Sequence, residues 1–329
     1  MMTTIRNILL VLFIGMFLIN CSCSKKTEAN HNVVDSAFLT RPLLSGKLIF
    51  HSYSCYSCND SKMYLYDFAS NQLRNLSSHW NIINPMNAHF SPIGNDIVFM
   101  GESSITNSWD VFIWDINSSN EPINLTANFG NKRDEDPKFS NDGTRIVFKQ
   151  NGIMKIMDTV GNILNSFNGI PTEASMPYFM KGDSSIVFSK TYSNATTAAI
   201  FKYSLSNNTF SPVIDIPAVE AYYPIAIDDS SFYFSRWYSP DNHNDQVYVG
   251  YLNGQSSQRL SFNETFDNFS DAYPINNKYL VISSTKSGGS GGYDLYIADQ
   301  LSGKTWYMNV YNSYINSVGN ELGACYRNR

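Results

Sequence analysis

Charge is the scarcest ingredient of this sequence. Asp, Glu, Lys and Arg make up 16% of its 329 residues, the net charge is -5, and no Lys/Arg cluster occurs outside the extreme N-terminus. So little positive charge leaves nothing to neutralise a phosphate backbone, which excludes nucleic acid and phosphate-rich ligands as main partners. Histidine is equally sparse, with five in all. Only His89 falls on a segment leading into one of the repeat units described below, so a metal cage of several such histidines is excluded and no metal centre is expected. Of the five cysteines, Cys55 and Cys58 form a "CYSC" pair that lacks a second pair of ligands at zinc-site spacing. The apolar run from Ile8 to Ile19 is too short for a stable membrane span, which needs about 20 residues. What the chain does have is apolar and aromatic mass, 43% and 14% of the residues, enough for a large folded core.

The first residues, "MMTTIRNILLVLFIGMFLINCSCS", place a single Arg6 before the apolar run and cysteine directly after it. This pattern resembles a bacterial lipoprotein signal, in which the cysteine after a short apolar box is acylated. Cys21 is the expected lipid anchor, with Cys23 the alternative and an ordinary cleaved signal the plainer reading. Residues 1–20 are thus expected to be the signal peptide and 21–44 a tether without clear periodicity. The resemblance implies an exported protein held by its lipid at the bacterial envelope, periplasmic or at the outer-membrane surface.

The rest of the chain repeats. "HFSPIGNDIVF" (89–99) recurs as "KFSNDGTRIVF" (138–148) and "YFMKGDSSIVF" (178–188), and more loosely at 225–234 and 273–282. Pro, Asn, Asp, Gly and Ser between β-branched and aromatic flanks make each copy a hairpin. A third strand follows each, such as "VFIWDI" (111–116) or "DLYIAD" (294–299), then a fourth, such as "LRNLS" (73–77), "PINLT" (122–126) and "TWYMNV" (305–310). The last apolar residues of the second strands are Phe50, Phe99, Phe148, Phe188, Phe234 and Ile282, spaced 49, 49, 40, 46 and 48 apart. A repeat of that length with four antiparallel strands is a propeller blade, because one small sheet buries both faces only by stacking on neighbours around an axis. The first copy, "GKLIF" (46–50), lacks a strand before it, and "NELGACYRNR" (320–329) is placed to supply one. The expected fold is therefore all-β: a six-bladed propeller over 45–329, closed by the C-terminal strand.

The segment "SGGSGGYDLYIADQLSGKTWYMNVYNSYINSVGNELGACY", with "HFSPIG" and "FSNDG", is similar to the WD40-like, TolB-type propeller repeat. Its marks are the Gly-rich loop, Tyr-Asp opening the third strand, Trp in the fourth, and Asn-Glu leading into the next blade. The resemblance implies the propeller fold across nearly all of the mature chain. Its members include periplasmic binding proteins, lipoproteins and some polysaccharide lyases. Gly288, Gly289, Ser290, Gly291 and Gly292 match a G-x-S-x-G nucleophile motif, but that motif needs a strand running into a helix, and no helix follows. The glycines are expected to serve loop conformations with positive φ.

In such a ring, loops joining second to third strands share one face with the segments leading from blade to blade. Nearly every lead-in carries a carboxylate: Glu135 and Asp136, Glu173, Glu220, Asp271 and Glu321, with Asn87 in the exception. These groups either accept hydrogen bonds from loop amides or make an electronegative funnel for a cation such as calcium, a basic peptide segment or sugar hydroxyls. The second-to-third loops add His51, Tyr53, Trp109, Tyr192, Lys286 and Tyr293, and above all "SRWYSPDNHND", with Arg236, Trp237, Tyr238 and His243. Aromatic rings beside hydrogen-bonding groups suit sugar faces or peptide side chains.

The expected function is a monomeric, lipid-anchored propeller that binds an envelope protein or glycan with no cofactor and no chemistry of its own. The alternative is a polysaccharide lyase, in which Arg236 would neutralise a uronate and Tyr238 or His243 would take the adjacent proton. A purely structural platform is the third reading. In an exported protein Cys55 is expected to pair with Cys58, leaving Cys325 a buried thiol opposite about His51.

Overall fold

The computed structural model describes residues 40–167, 169, 173–191 and 197–328. The expected lipoprotein signal, Cys21, Cys23 and Tyr192 lie outside the described residues. The strands form six antiparallel sheets of four. Blade 1 joins the C-terminal strand Asn320–Arg327 to Lys47–Tyr53, Lys62–Asp67 and Gln72–Asn75. Blade 2 is Ile82–Phe90, Asp96–Ser103, Ser108–Asp115 and Ile123–Asn124; blade 3 is Asp134–Phe139, Arg145–Gln150, Ile153–Asp158 and Ile163–Ser166. Blade 4 is Ala174–Phe179, Ser185–Thr191, Ala198–Ser204 and Thr209–Ile214. Blade 5 is Ala221–Ala226, Ser231–Ser239, Asn242–Tyr251 and Gln258–Arg259; blade 6 is Phe269–Pro274, Tyr279–Ser284, Asp294–Asp299 and Thr305–Tyr307. The all-β, six-bladed propeller expected from the repeat is the observed fold.

The second strands explain why the ring holds. Phe50, Phe99, Phe148, Phe188, Phe234 and Ile282 are at most 1% exposed, and each packs into the core shared with the preceding blade. Their immediate neighbours Ile49, Val98, Val147, Val187, Tyr233 and Val281 turn the other way, into the core shared with the next blade. Alternation along a strand thus buries both faces of every sheet. Each full burial of such a side chain stabilises by roughly 1.5–3 kcal/mol.

The fourth strands are shorter than their sequence suggests. Residues Leu76–His79 and Met308–Val310 form 3-10 turns instead of continuing the sheet. The cause is a polar side chain that takes over the ladder. The third-strand amides of Met63, Val111, Val247 and Leu295 donate to Ser77 Oγ, Thr126 Oγ1, Asn263 Oδ1 and Asn316 Oδ1. The backbone donor is satisfied without a strand opposite it.

Closure occurs in blade 1, where Lys47 pairs with Arg327 and Tyr53 with Asn320. Cys325 lies opposite Ile49, not His51, which faces Leu322, because a bulge between them inserts an extra residue in the closing strand. Cys55 and Cys58 are joined by a disulfide in the second-to-third-strand loop of blade 1, between Lys47–Tyr53 and Lys62–Asp67, and Cys325 is a buried free thiol. The end of the expected tether packs on blade 6: Thr40 Oγ1 accepts from Lys304 Nζ at 3.0 Å, Tyr311 donates to the Pro42 carbonyl at 2.8 Å, and Leu44 joins the core.

Candidate functional site

The lead-in segments are the innermost strands themselves. Each is broken at the same place by one residue with positive φ: Asn87 (54°), Asp136 (56°), Met176 (52°), Tyr223 (50°), Asp271 (51°) and Gly323 (60°). A register shift accompanies each break. Ala or Pro follows it, then a residue facing the axis: His89, Lys138, Tyr178, Ile225, Tyr273 and Cys325, which together line a narrow cavity of about 50 Å³. The repeated bulge thus builds the ring's central channel in two layers.

A bulge leaves a backbone amide without its ladder partner, and the preceding blade supplies one. Asp136 accepts from Met176 N–H at 3.2 Å and from Asn87 Nδ2 at 3.1 Å. Asp271 accepts from Gly323 N–H at 3.0 Å, and His51 Nδ1 from Asn87 N–H at 3.4 Å. Burial pulls the His51 pKa down to about 3, keeping the ring neutral and able to accept. Burial also raises Asp271, against the pull of the Gly323 amide.

In the lower layer, Phe139 N–H donates to His89 Nδ1 at 3.1 Å, which leaves the proton on Nε2 to donate to the Tyr178 hydroxyl at 3.0 Å. Tyr178 in turn interacts with Tyr273, and Tyr273 with Cys325. Lys138 Nζ donates to the Asn87 carbonyl at 3.3 Å; burial lowers its pKa against the attraction of Asp136.

The residues expected to line one funnel divide among four places, Glu220 lying in the larger recess described below. Asn87, Asp136 and Asp271 do sit at its throat, as inter-blade staples. Glu135 is 5% exposed and held by Arg133 at 2.7 Å and Lys149 at 2.8 Å; Lys149 also reaches Glu173 at 3.1 Å. Glu321 is fully buried and accepts from Ser52 Oγ at 2.7 Å and Ser317 Oγ at 2.6 Å, and burial raises its pKa. It anchors the closing strand. Among the described residues no three His, Cys, Asp or Glu side chains gather to hold a metal ion.

Above the throat the funnel opens into two recesses. One of about 240 Å³ lies over blades 1 to 3, edged by Tyr53, Tyr56 and Lys149. The other, about 460 Å³, lies between blades 4 and 5, lined among others by Glu173, Glu220, Tyr222, Trp237, His243 and Asp245. Met176 and Tyr223 belong to both, and to the channel.

The blade 5 hairpin, Ser231–Ser239 and Asn242–Tyr251, divides the remaining candidates. Trp237 and His243 stack at 3.8 Å between ring centroids and face the larger recess. Arg236, one residue along the strand, points to the opposite sheet face, its guanidinium carbon 4.0 Å from the centre of the Tyr248 ring. Tyr238 shares the Arg236 side and meets Arg259 at 5.3 Å. The Arg236, Tyr238 and His243 set that a lyase would use is therefore not brought together, because adjacent strand residues alternate between faces.

Ser290 sits in the second-to-third loop of blade 6, and its hydroxyl meets only that of Tyr307 among the described contacts. No base adjoins it. Gly288 has φ of 90°, but a Cβ on Gly291 or Gly292 would strike the closing segment, at the Gly319 carbonyl and Asn320 respectively. The glycine run is there mainly for close approach.

Sequence reasoning missed Asp245, Tyr222, Tyr223 and, of the axial residues, Lys138, Tyr178, Ile225 and Tyr273. Aligning the inner strands as NAHF, DPKF, MPYF, YPIA, DAYP and GACY would have revealed the two layers.

No family model matches the sequence, and neither does any curated protein. Solved structures do resemble it. TolB from Acinetobacter baumannii is 17% identical, with a TM-score of 0.62 over 88% of this chain and 68% of that one. A putative TolB from Agrobacterium tumefaciens is 11% identical, TM-score 0.58, over 82% and 89%. An oligogalacturonate lyase in complex with manganese is 13% identical, TM-score 0.50, over 81% and 74%. What is shared is the fold. The chain is a six-bladed propeller whose structural neighbours are TolB-like and related propellers. Among the described residues no helix is long and apolar enough to cross a membrane.

Proposed function

We propose that this chain is an exported, lipid-anchored binding module that recognises a protein or glycan at the bacterial cell envelope. The observation carrying this reading is the continuity of the funnel: a wide recess between blades 4 and 5 runs through Met176 and Tyr223 into the axial channel. Aromatic surface beside carboxylates and hydroxyls, with Arg236 on the sheet face opposite His243, suits recognition more than catalysis. The N-terminal signal-like segment and its cysteines support the anchor, with Cys21 as the acylated residue.

The test is capture from envelope extract by the full chain. The wild type should retain a component that a Trp237→Ala/Glu220→Gln/Asp245→Asn triple variant loses at unchanged melting temperature. Equal capture by both would refute a funnel site. Mass spectrometry of the mature N-terminus checks the anchor, and an unmodified terminus would refute it.

A further inference from the structure

Within the proposed binding function, which this inference presupposes, the geometry points to a specific ligand: we infer that the recess between blades 4 and 5 takes an amino sugar, its ring against Trp237 and its ammonium between Glu220 and Asp245.

Glu220, immediately before the inner strand Ala221–Ala226, lies in one row with residues of the next two strands of blade 5. Trp237 N–H donates to the Glu220 carbonyl at 3.1 Å on one side, and Trp237 is the register partner of Asp245 on the other. Cross-strand partners project from the same sheet face. The row therefore reads carboxylate, indole, carboxylate, and all three line the recess.

Asp245 is not the aspartate the repeat requires for its own structure. In blades 2 and 6 that residue follows an aromatic, as Trp109–Asp110 and Tyr293–Asp294, and both aspartates are fully buried. Register places Gln246, opposite Arg236, at the equivalent site in blade 5, just as Asp110 stands opposite Gly101 and Asp294 opposite Ser284. Asp245 thus occupies the aromatic's position, one residue earlier and on the recess side. It is 8% exposed; the Tyr222 and Tyr293 hydroxyls both face its carboxylate, Tyr293 donating to Oδ2 at 3.4 Å, while Oδ1 has no donor in hydrogen-bonding geometry. A buried carboxylate oxygen left without a donor in a lined recess is a place for a ligand's donor.

The chemistry narrows further. Burial raises Asp245 to about 6 and also raises Glu220, which His243 partly offsets. An arriving cation would relieve both. Glu173 is already engaged by Lys149, and the Lys190 ammonium lies over the Phe201 ring at 4.9 Å. A stacked Trp–His pair offers a flat surface for the apolar face of a pyranose, and Ser175, Thr191 and Tyr222 stand nearby for its hydroxyls. An extended peptide, by contrast, docks on an unpaired strand edge. The walls here, Ser185–Thr191 and Ser231–Ser239, are second strands paired on both sides.

The probes are the β-1,4-linked glucosamine tetramer and its fully N-acetylated counterpart, titrated at pH 7 into the full chain by calorimetry. The free-amine tetramer should bind at least tenfold tighter than the acetylated one. Asp245→Asn, nearly isosteric, and Trp237→Ala should each weaken it at least tenfold, while Trp109→Ala, in blade 2 at the position Asp245 takes in blade 5, should change it less than twofold. Equal affinity for the two tetramers overturns the assignment, as does an unaltered Asp245→Asn. Capture of an envelope component that depends on the funnel, or binding of a lysine-rich peptide, with neither tetramer bound, overturns the amino sugar and leaves the binding-module reading standing. Absence of both removes both.

Discussion

At the scale of single residues, the same side-chain type serves opposite ends. Asp136 holds a left-handed backbone position and accepts two hydrogen bonds across the blade 2, 3 and 4 junctions. Asn tolerates that conformation and keeps one acceptor; Ala does neither. Denaturant melts should therefore show Asp136→Ala destabilised by about 2–3 kcal/mol and Asp136→Asn by less than about 1 kcal/mol. Asp134 behaves differently. It is fully buried, and burial pushes its pKa up to about 7 from 3.8 against the hydrogen bonds from Gln150 and Thr126. The folded state then holds a proton that the unfolded chain releases, so stability falls as pH climbs from about 4 to about 7 and the full cost is present above that. Asp134→Asn should raise stability at pH 8 by about 2–4 kcal/mol and have little effect at pH 4, measured as melting in the two buffers. None of this was legible from residue types. Asp134, Glu135 and Asp136 are consecutive in "DED", yet strand alternation and the bulge send them to three environments, and sequence alone carries the alternation but not the bulge.

Elements were far more legible, because their signal is periodic. The second strands announce themselves by "IVF"-like triplets, and the apolar marker residues are the ones at the blade interfaces. Phe148→Ala, emptying the core between blades 2 and 3, should cost about 3–5 kcal/mol, read from chemical denaturation. The fourth strands misled, since Ser77, Thr126, Asn263 and Asn316 replace ladder bonds with side-chain bonds that no propensity scale registers. The blade 5 hairpin stands out in the sequence for its aromatics, and Trp237 and His243 line a recess. Arg236 and Tyr238 were grouped with them only because neighbours in sequence were treated as neighbours in space. Strand alternation separates them.

The whole molecule depends on one seam. Deleting 318–329 removes the inner strand of blade 1 and should lower the melting temperature by at least ~10 °C or abolish cooperative unfolding, since one kcal/mol is worth only ~2–4 °C in a domain of this order. Replacing Cys55 and Cys58 by Ser should cost no more than a few degrees, because that disulfide spans a separation of 3 residues at a loop tip. The two results together would locate the closure in the strand pairing. That pairing joins residues 47 and 327, the first and last strands of the ring. A ribosome must therefore release nearly the entire polypeptide before blade 1 can receive its innermost strand, and until then the partly made protein exposes a raw sheet edge at each end. Blade 1 therefore completes its sheet only after the strands of the other five blades have been made.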